Sequence, residues 1–203
     1  EIRNTEIKKA FIYNNKLENI NLEDNIKYIW ITDNPGIKEM EADKYCIGIS
    51  GVAGKNFMEK EGFVNSFEKE LINLNKSPLH TKITSELSKI KNKDILNETQ
   101  IFMADLAFEL QKNFNCELWI MGTSNLNKIF KAFIEKFKEN YKNEKELLDK
   151  VFLYYHFSQG QFKIRLNKEI DFLKNQISKK EYENYIQELN NDIDFLKRIN
   201  LGG

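Results

Sequence analysis

Proline, cysteine and histidine are nearly missing from this chain of 203 residues, with two of each. Scarce proline leaves long stretches free to form regular structure. Two cysteines exclude a disulfide-dense scaffold. Cys46 and Cys116 each fall in a segment that reads as a strand, so buried free thiols are expected and a disulfide is not indicated. His80 and His156 lack the spaced partners of a zinc site, and neither cysteine has a nearby histidine to form a nucleophile pair. An excess of charge is missing too. Lys+Arg and Asp+Glu are both 31, which argues against nucleic-acid binding through a general basic surface. No apolar run approaches ~18 residues and no secretory signal is visible, so a transmembrane segment is not expected and a cytoplasmic location is. Internal repeats and low-complexity segments are not found.

What is present suits a sizeable core: 41% of residues are hydrophobic and 12% aromatic. Ala10–Tyr13 reads as a short edge strand. Ile26–Thr32, I-K-Y-I-W-I-T, is a stronger one, ending at the turn cluster Asp33-Asn34-Pro35-Gly36. Tyr45–Ser50 reads as a further strand. Asn56–Asn73 reads as a helix with Phe63, Phe67, Leu71 and Leu74 on one face, and Ile83, Leu87 and Ile90 suggest a short amphipathic helix. In Asn97–Phe114, Phe102, Leu106 and Leu110 recur at four-residue spacing, the mark of an amphipathic helix. Cys116–Met121 then reads as a strand and Leu126–Tyr141 as a helix. Leu147–Phe157 reads as helix rather than strand. Beyond Asn167, two short heptad-like runs suggest a helical hairpin, a helix docked on its own domain, or a helix packing against a partner such as a second copy. The expected fold class is therefore α/β: a three-layer Rossmann-like domain over 1–166 with a mostly parallel sheet, and a helical C-terminal extension over 167–203.

Candidate chemistry gathers at strand ends. Gly51–Asn56, G-V-A-G-K-N, mimics a phosphate loop, but Ile49 and Asn56 stand where the pattern needs Gly and Ser or Thr. Gly122-Thr123-Ser124-Asn125 is more informative. It ends an apolar strand and precedes an amphipathic stretch from Leu126. If it opens a helix, the unpaired N–H groups of the first turn would suit a phosphate, while Thr and Ser would equally serve as ordinary N-caps. Asp105 is a carboxylate amid Met103, Ala104, Leu106 and Ala107. Facing inward it needs a partner, either a neighbouring backbone or donors from a ligand such as a guanine.

The order of these segments resembles the C-terminal, donor-binding half of the α1,6-fucosyltransferase and NodZ-like group of GT-B glycosyltransferases. Three short motifs carry the likeness: E-I-R-N-T-E at Glu1–Glu6 against H-x-R-R-T-D, Thr32-Asp33-Asn34-Pro35 against T-D-D-P, and Asp105-Leu106 with Leu110 leading to Thr123-Ser124-Asn125 against D-(apolar)-x-x-L followed by T-x-S-S. Glu1, Asn4 and Asn34 depart from the pattern. The resemblance implies transfer of a sugar from a nucleotide sugar, such as GDP-fucose, to a glycan or other hydroxyl acceptor, with neither metal nor cofactor. It implies that Arg3 binds the diphosphate and offsets charge on the leaving group, with Thr5 beside it in the donor site. It further implies that Thr123 and Ser124 hold phosphate oxygens, Asp105 reads the base, and Asp33 positions Arg3 or the ribose. An acceptor domain would then lie upstream of Glu1. Two other readings stay open from the residues themselves: a nucleotide- or anion-sensing module without catalysis, and a protein-interaction domain in which the elbow only caps a helix.

Overall fold

The computed structural model describes residues 11–12, 14–123, 125–154, 156–157 and 164. Four strands form one sheet: β1 (Tyr28–Thr32), β2 (Leu71–Asn75), β3 (Glu117–Met121) and β4 (Val151–Tyr154). Their order is β2-β1-β3-β4 and every pairing is parallel. The helices are α1 (Ile37–Ala42), α2 (Ile49–Lys60), α3 (Phe67–Glu70), α4 (Lys93–Phe114), α5 (Lys131–Tyr141) and α6 (Lys145–Leu148), with 3₁₀ turns at Asn15–Asn19 and Thr84–Lys89. This is the three-layer, Rossmann-like α/β arrangement.

Chain direction explains the layers. From β1 the chain steps to β2 on one side, then returns past β1 to β3 and β4 on the other. Parallel crossovers keep one hand, so reversing the direction sends the connecting helices to opposite faces. One face carries α4 and α5. There Ile29, Ile31, Ile72, Leu74, Leu118, Ile120, Val151 and Leu153 meet Met103, Ala104 and Ala107 of α4 and Phe133, Ile134 and Phe137 of α5. Full burial of each large aliphatic side chain stabilises by about 1.5–3 kcal/mol. The opposite face carries α2, with Trp30, Leu71, Trp119 and Met121 against Met58.

Local chemistry sets the elements. β1 is central, so both its faces are buried and its sequence is almost continuously β-branched or aromatic. α4 starts where the Asn92 side chain accepts the Ile95 N–H (3.2 Å), and it stops at Asn115 in the left-handed conformation (φ 49°). Two buried glutamines of α4 anchor the later part of the chain. Gln100 donates to the Ile129 carbonyl and accepts the Phe133 N–H; Gln111 donates to the Cys116 and Leu147 carbonyls and accepts the Tyr141 hydroxyl.

Several expectations are corrected. Tyr45–Ser50 is not a strand, because both edges of β1 are taken by β2 and β3. The segment instead turns at Cys46 (φ 62°), and Gly48 becomes the N-cap of α2. Asn56–Asn73 is not one helix. α2 ends at Lys60, and β2 begins at Leu71, with Leu71 and Leu74 on opposite faces of the sheet. Leu147–Phe157 contains β4, which fills the edge beside β3. Near the expected first strand, Phe11 makes a single antiparallel bridge to Leu79, while Ala10 and Tyr13 lie outside the described residues. The expected C-terminal helices and the 167–203 extension also lie outside them. Both cysteines are free; Cys116 immediately precedes β3, and Cys46 lies between α1 and α2. Among the described residues no helix is long and apolar enough to cross a membrane.

Candidate functional site

Where strand order reverses, between β1 and β3, the two outgoing loops diverge and leave a crevice beyond the carboxyl ends of the strands. Here it measures about 620 Å³. Thr32, Asp33 and Asn34 line it from the β1 exit, and Gly122, Thr123 and Asn125 from the β3 exit. Gly48, Ser50 and Gly51 come from the start of α2, Thr81–Thr84 from the loop after β2, and His156 from beyond β4. The start of α2 therefore contributes first-turn N–H groups and the positive end of a helix dipole.

Each wall is braced. The Asn34 amide donates to Thr81 Oγ1 (2.9 Å) and to the Leu79 carbonyl (3.3 Å). His80 donates from Nδ1 to the Pro35 carbonyl (2.9 Å). Glu39 accepts the Gly36 N–H (2.6 Å) with one oxygen and the Cys46 N–H (2.7 Å) with the other, fastening the loop before α2. Thr32 donates its hydroxyl to the Asn75 side-chain oxygen. Gly51 is required by close approach: a Cβ there would lie 1.8 Å from the Cys46 carbonyl oxygen. Gly122 turns the chain out of β3 at φ +87°, a conformation that other residues rarely adopt.

Beneath the crevice lies a fully buried lysine. Lys76 donates from Nζ to Asp33 Oδ1 (2.6 Å) and to the carbonyls of Met121 (2.6 Å) and Gly122 (3.1 Å). Burial pushes its pKa down, opposed by Asp33. Burial likewise lowers the pKa of His156, with Asp33 raising it and Lys76 lowering it further. Burial, reinforced by the Glu39 and Glu68 carboxylates, pushes the Cys46 thiol up to about 12, so it is protonated at neutral pH and a poor nucleophile.

The structure brings Asp33 and Thr123 into one crevice. Arg3, Thr5 and Ser124 lie outside the described residues. Asp105 is elsewhere. It sits half-exposed on α4, accepting the Asn140 amide (2.8 Å) with Lys136 at 3.6 Å, and does not line the crevice. It does not face inward, and its partners are side chains on α5. The elbow also differs from expectation. The helix begins at Lys131 rather than Leu126, because Leu126 and Phe130 are both drawn into the core and hold 125–130 as turns. The Thr123 carbonyl accepts the Leu126 N–H (3.2 Å), so Thr123 caps no helix, and the helix start lining the crevice belongs to α2. Gly51–Asn56 lies inside α2, not in a loop.

Sequence reasoning missed Lys76, Glu39 and His156. Lys76 stands in a polar run that resembles solvated surface, and its position beneath Asp33 depends on strand order. Among the described residues no group of three or more His, Cys, Asp or Glu is arranged to hold a metal ion. The fold and crevice define a Rossmann-like domain with a polar site at its switch point. Comparison with protein families and with curated proteins finds no match.

Proposed function

We propose that the crevice receives the phosphates of a nucleotide or nucleotide sugar, and that the chain is the donor-binding half of a fucosyltransferase-like glycosyltransferase. The observation that carries this reading is the meeting of Thr32-Asp33 with Gly122-Thr123 at the switch point, beside the start of α2. Hydroxyls, backbone N–H groups and a helix start are a donor set suited to phosphate oxygens. Arg3 fits the same reading. Phe11 is bridged to Leu79, two residues before Thr81 on the crevice wall. Arg3 stands eight positions before Phe11, a stretch that spans at most about 29 Å. In the crevice its guanidinium would grip the diphosphate and offset charge on the leaving group.

A second reading, a nucleotide- or anion-sensing module without transfer, draws on Asp105, whose engagement with Asn140 leaves no base-reading group at the expected place. A thermal-shift series with GDP, UDP, CMP and GDP-fucose, followed by a transfer assay, separates the two. A bound nucleotide at about 100-fold its Kd stabilises by about 2.7 kcal/mol, a rise of ~5 °C or more in Tm. Sugar transfer that falls ~100-fold or more in Arg3→Ala supports the transferase. Binding without transfer or donor hydrolysis supports the sensor. If neither a nucleotide nor inorganic phosphate or pyrophosphate moves Tm, both readings fall and an interaction domain takes their place.

A further inference from the structure

We propose that Lys76 is the positioning residue of the crevice: a buried cation that neutralises Asp33 from below and pins the β3 exit, so that the wall accepts an anionic ligand. The inference rests on the crevice being a phosphate site. An ammonium has three protons, and here three acceptors receive them: Asp33 Oδ1, the Met121 carbonyl and the Gly122 carbonyl. The Phe130 ring lies 5.2 Å from Nζ and adds a cation–π contact. The backbone N–H of Lys76 donates to the Thr32 carbonyl (2.8 Å). One residue directly after β2 thus ties together the exits of β1 and β3, the two strands whose ends make the crevice. Asp33 in turn packs over the bare Cα of Gly122, where a Cβ would stand 3.0 Å from its Oδ1.

Stability alone accounts poorly for this arrangement. Burying an ammonium is costly, and a buried ion pair is often replaced by apolar groups with no loss of stability. Function accounts for it better. Asp33 lines the crevice, and without Lys76 its carboxylate would leave a net negative charge on the wall that is meant to meet phosphates. With Lys76 the pair is neutral, and the carbonyls of Met121 and Gly122 are turned toward the ammonium.

GDP binding by calorimetry at fixed pH and ionic strength tests this with Lys76→Met, Asp33→Asn and the double variant, each checked for folding by circular dichroism. The expected result is a loss of ~10-fold or more in affinity for Lys76→Met, with at least ~3-fold recovered when Asp33→Asn is added, because the repelling charge is gone. If Lys76→Met does not fold, the double variant is compared with Asp33→Asn alone and is expected to bind at least ~3-fold more weakly. Unchanged affinity on removing Lys76, or no recovery in the double variant, would overturn the proposal. If the wild type binds no GDP or other nucleotide, the phosphate reading falls by itself, and Lys76 is then judged by amide hydrogen exchange. At least ~10-fold faster exchange over residues 119–125 in folded Lys76→Met supports the pinning. Unaltered exchange there ends it.

Discussion

On the side of α4 and α5 the sheet is aliphatic from one end of each strand to the other. Ile29 is followed by Ile31, Ile72 by Leu74, Leu118 by Ile120, and Val151 by Leu153. On the side of α2 two of these strands, β1 and β2, change character along their length. Tyr28 and Trp30 give way to Thr32, and Leu71 gives way to Asn73 and Asn75. Aromatic rings cover the rest of this face, with Trp30 and Trp119 stacked at 6.0 Å and Trp119 tilted against Tyr154 at 4.6 Å. Polar groups gather toward the carboxyl ends of β1 and β2, beside the crevice. Among the described residues, the buried side-chain atoms without a hydrogen-bond partner, Trp30 Nε1, Asn73 Oδ1 and Asn75 Nδ2, all belong to this second face. Unpartnered buried polar atoms cost free energy, so natural cores hold few of them. The contrast teaches that one face carries cohesion and the other gives up some cohesion for a polar floor.

Three measurements sharpen or break that contrast. The largest effect belongs to the aliphatic side. Phe133→Ala removes a fully buried ring of α5 and should cost ~3–5 kcal/mol in urea unfolding, with nucleotide affinity little changed once the protein is folded. A loss of affinity as large as the loss of stability would show that the two faces are not separable. Next comes Gly51→Ala on the crevice side. Its Cβ collides with the Cys46 carbonyl, so the turn before α2 must move. The expected cost is ~1–3 kcal/mol, accompanied by a drop in GDP affinity that Phe133→Ala lacks. Equal affinity in the two variants would remove the α2 start from the site.

The smallest effect is a pH slope. His156 has a folded pKa lowered by burial, so the unfolded chain takes up the proton first. Its stabilising contribution is complete above about pH 6.5, the ordinary value, and is lost as the pH falls through the folded value. The Tm of the wild type should therefore fall more steeply from pH 7.5 to 5.5 than that of His156→Gln. Parallel slopes would place the proton elsewhere.

Much of this architecture is legible in the sequence. The runs at Ile26–Thr32 and Cys116–Met121 read as strands because central parallel strands are apolar on both faces, and the four-residue spacing in Asn97–Phe114 fits only a helix. β2 is hidden because Phe63, Phe67, Leu71 and Leu74 keep a helical spacing by coincidence. A loop position, a one-turn helix and two opposite faces of a strand mimic one apolar stripe. β4 is hidden because four residues carry too few alternations to set against a helix beside them. Of the site, Asp33 and Thr123 can be seen because turn residues end apolar runs. Lys76 cannot, because whether a lysine is solvated or buried depends on which strands become neighbours. Asp105 is misplaced for a related reason: its partner Asn140 is 35 positions away, on a helix whose packing no local pattern records.

Tyr45 links two regions that otherwise have separate roles. Its buried hydroxyl donates to the Ile12 carbonyl at 2.5 Å, and its backbone precedes the turn at Cys46 beside the crevice. The Ile12 N–H in turn donates to the Pro78 carbonyl (3.0 Å), in the segment that follows β2. Ile12 thus ties the segment before Cys46 to the segment after β2. One phenol hydroxyl therefore fixes how far the approach to α2 can drift from the exit of β2, and Tyr45→Phe would slacken that spacing while leaving the ring in place.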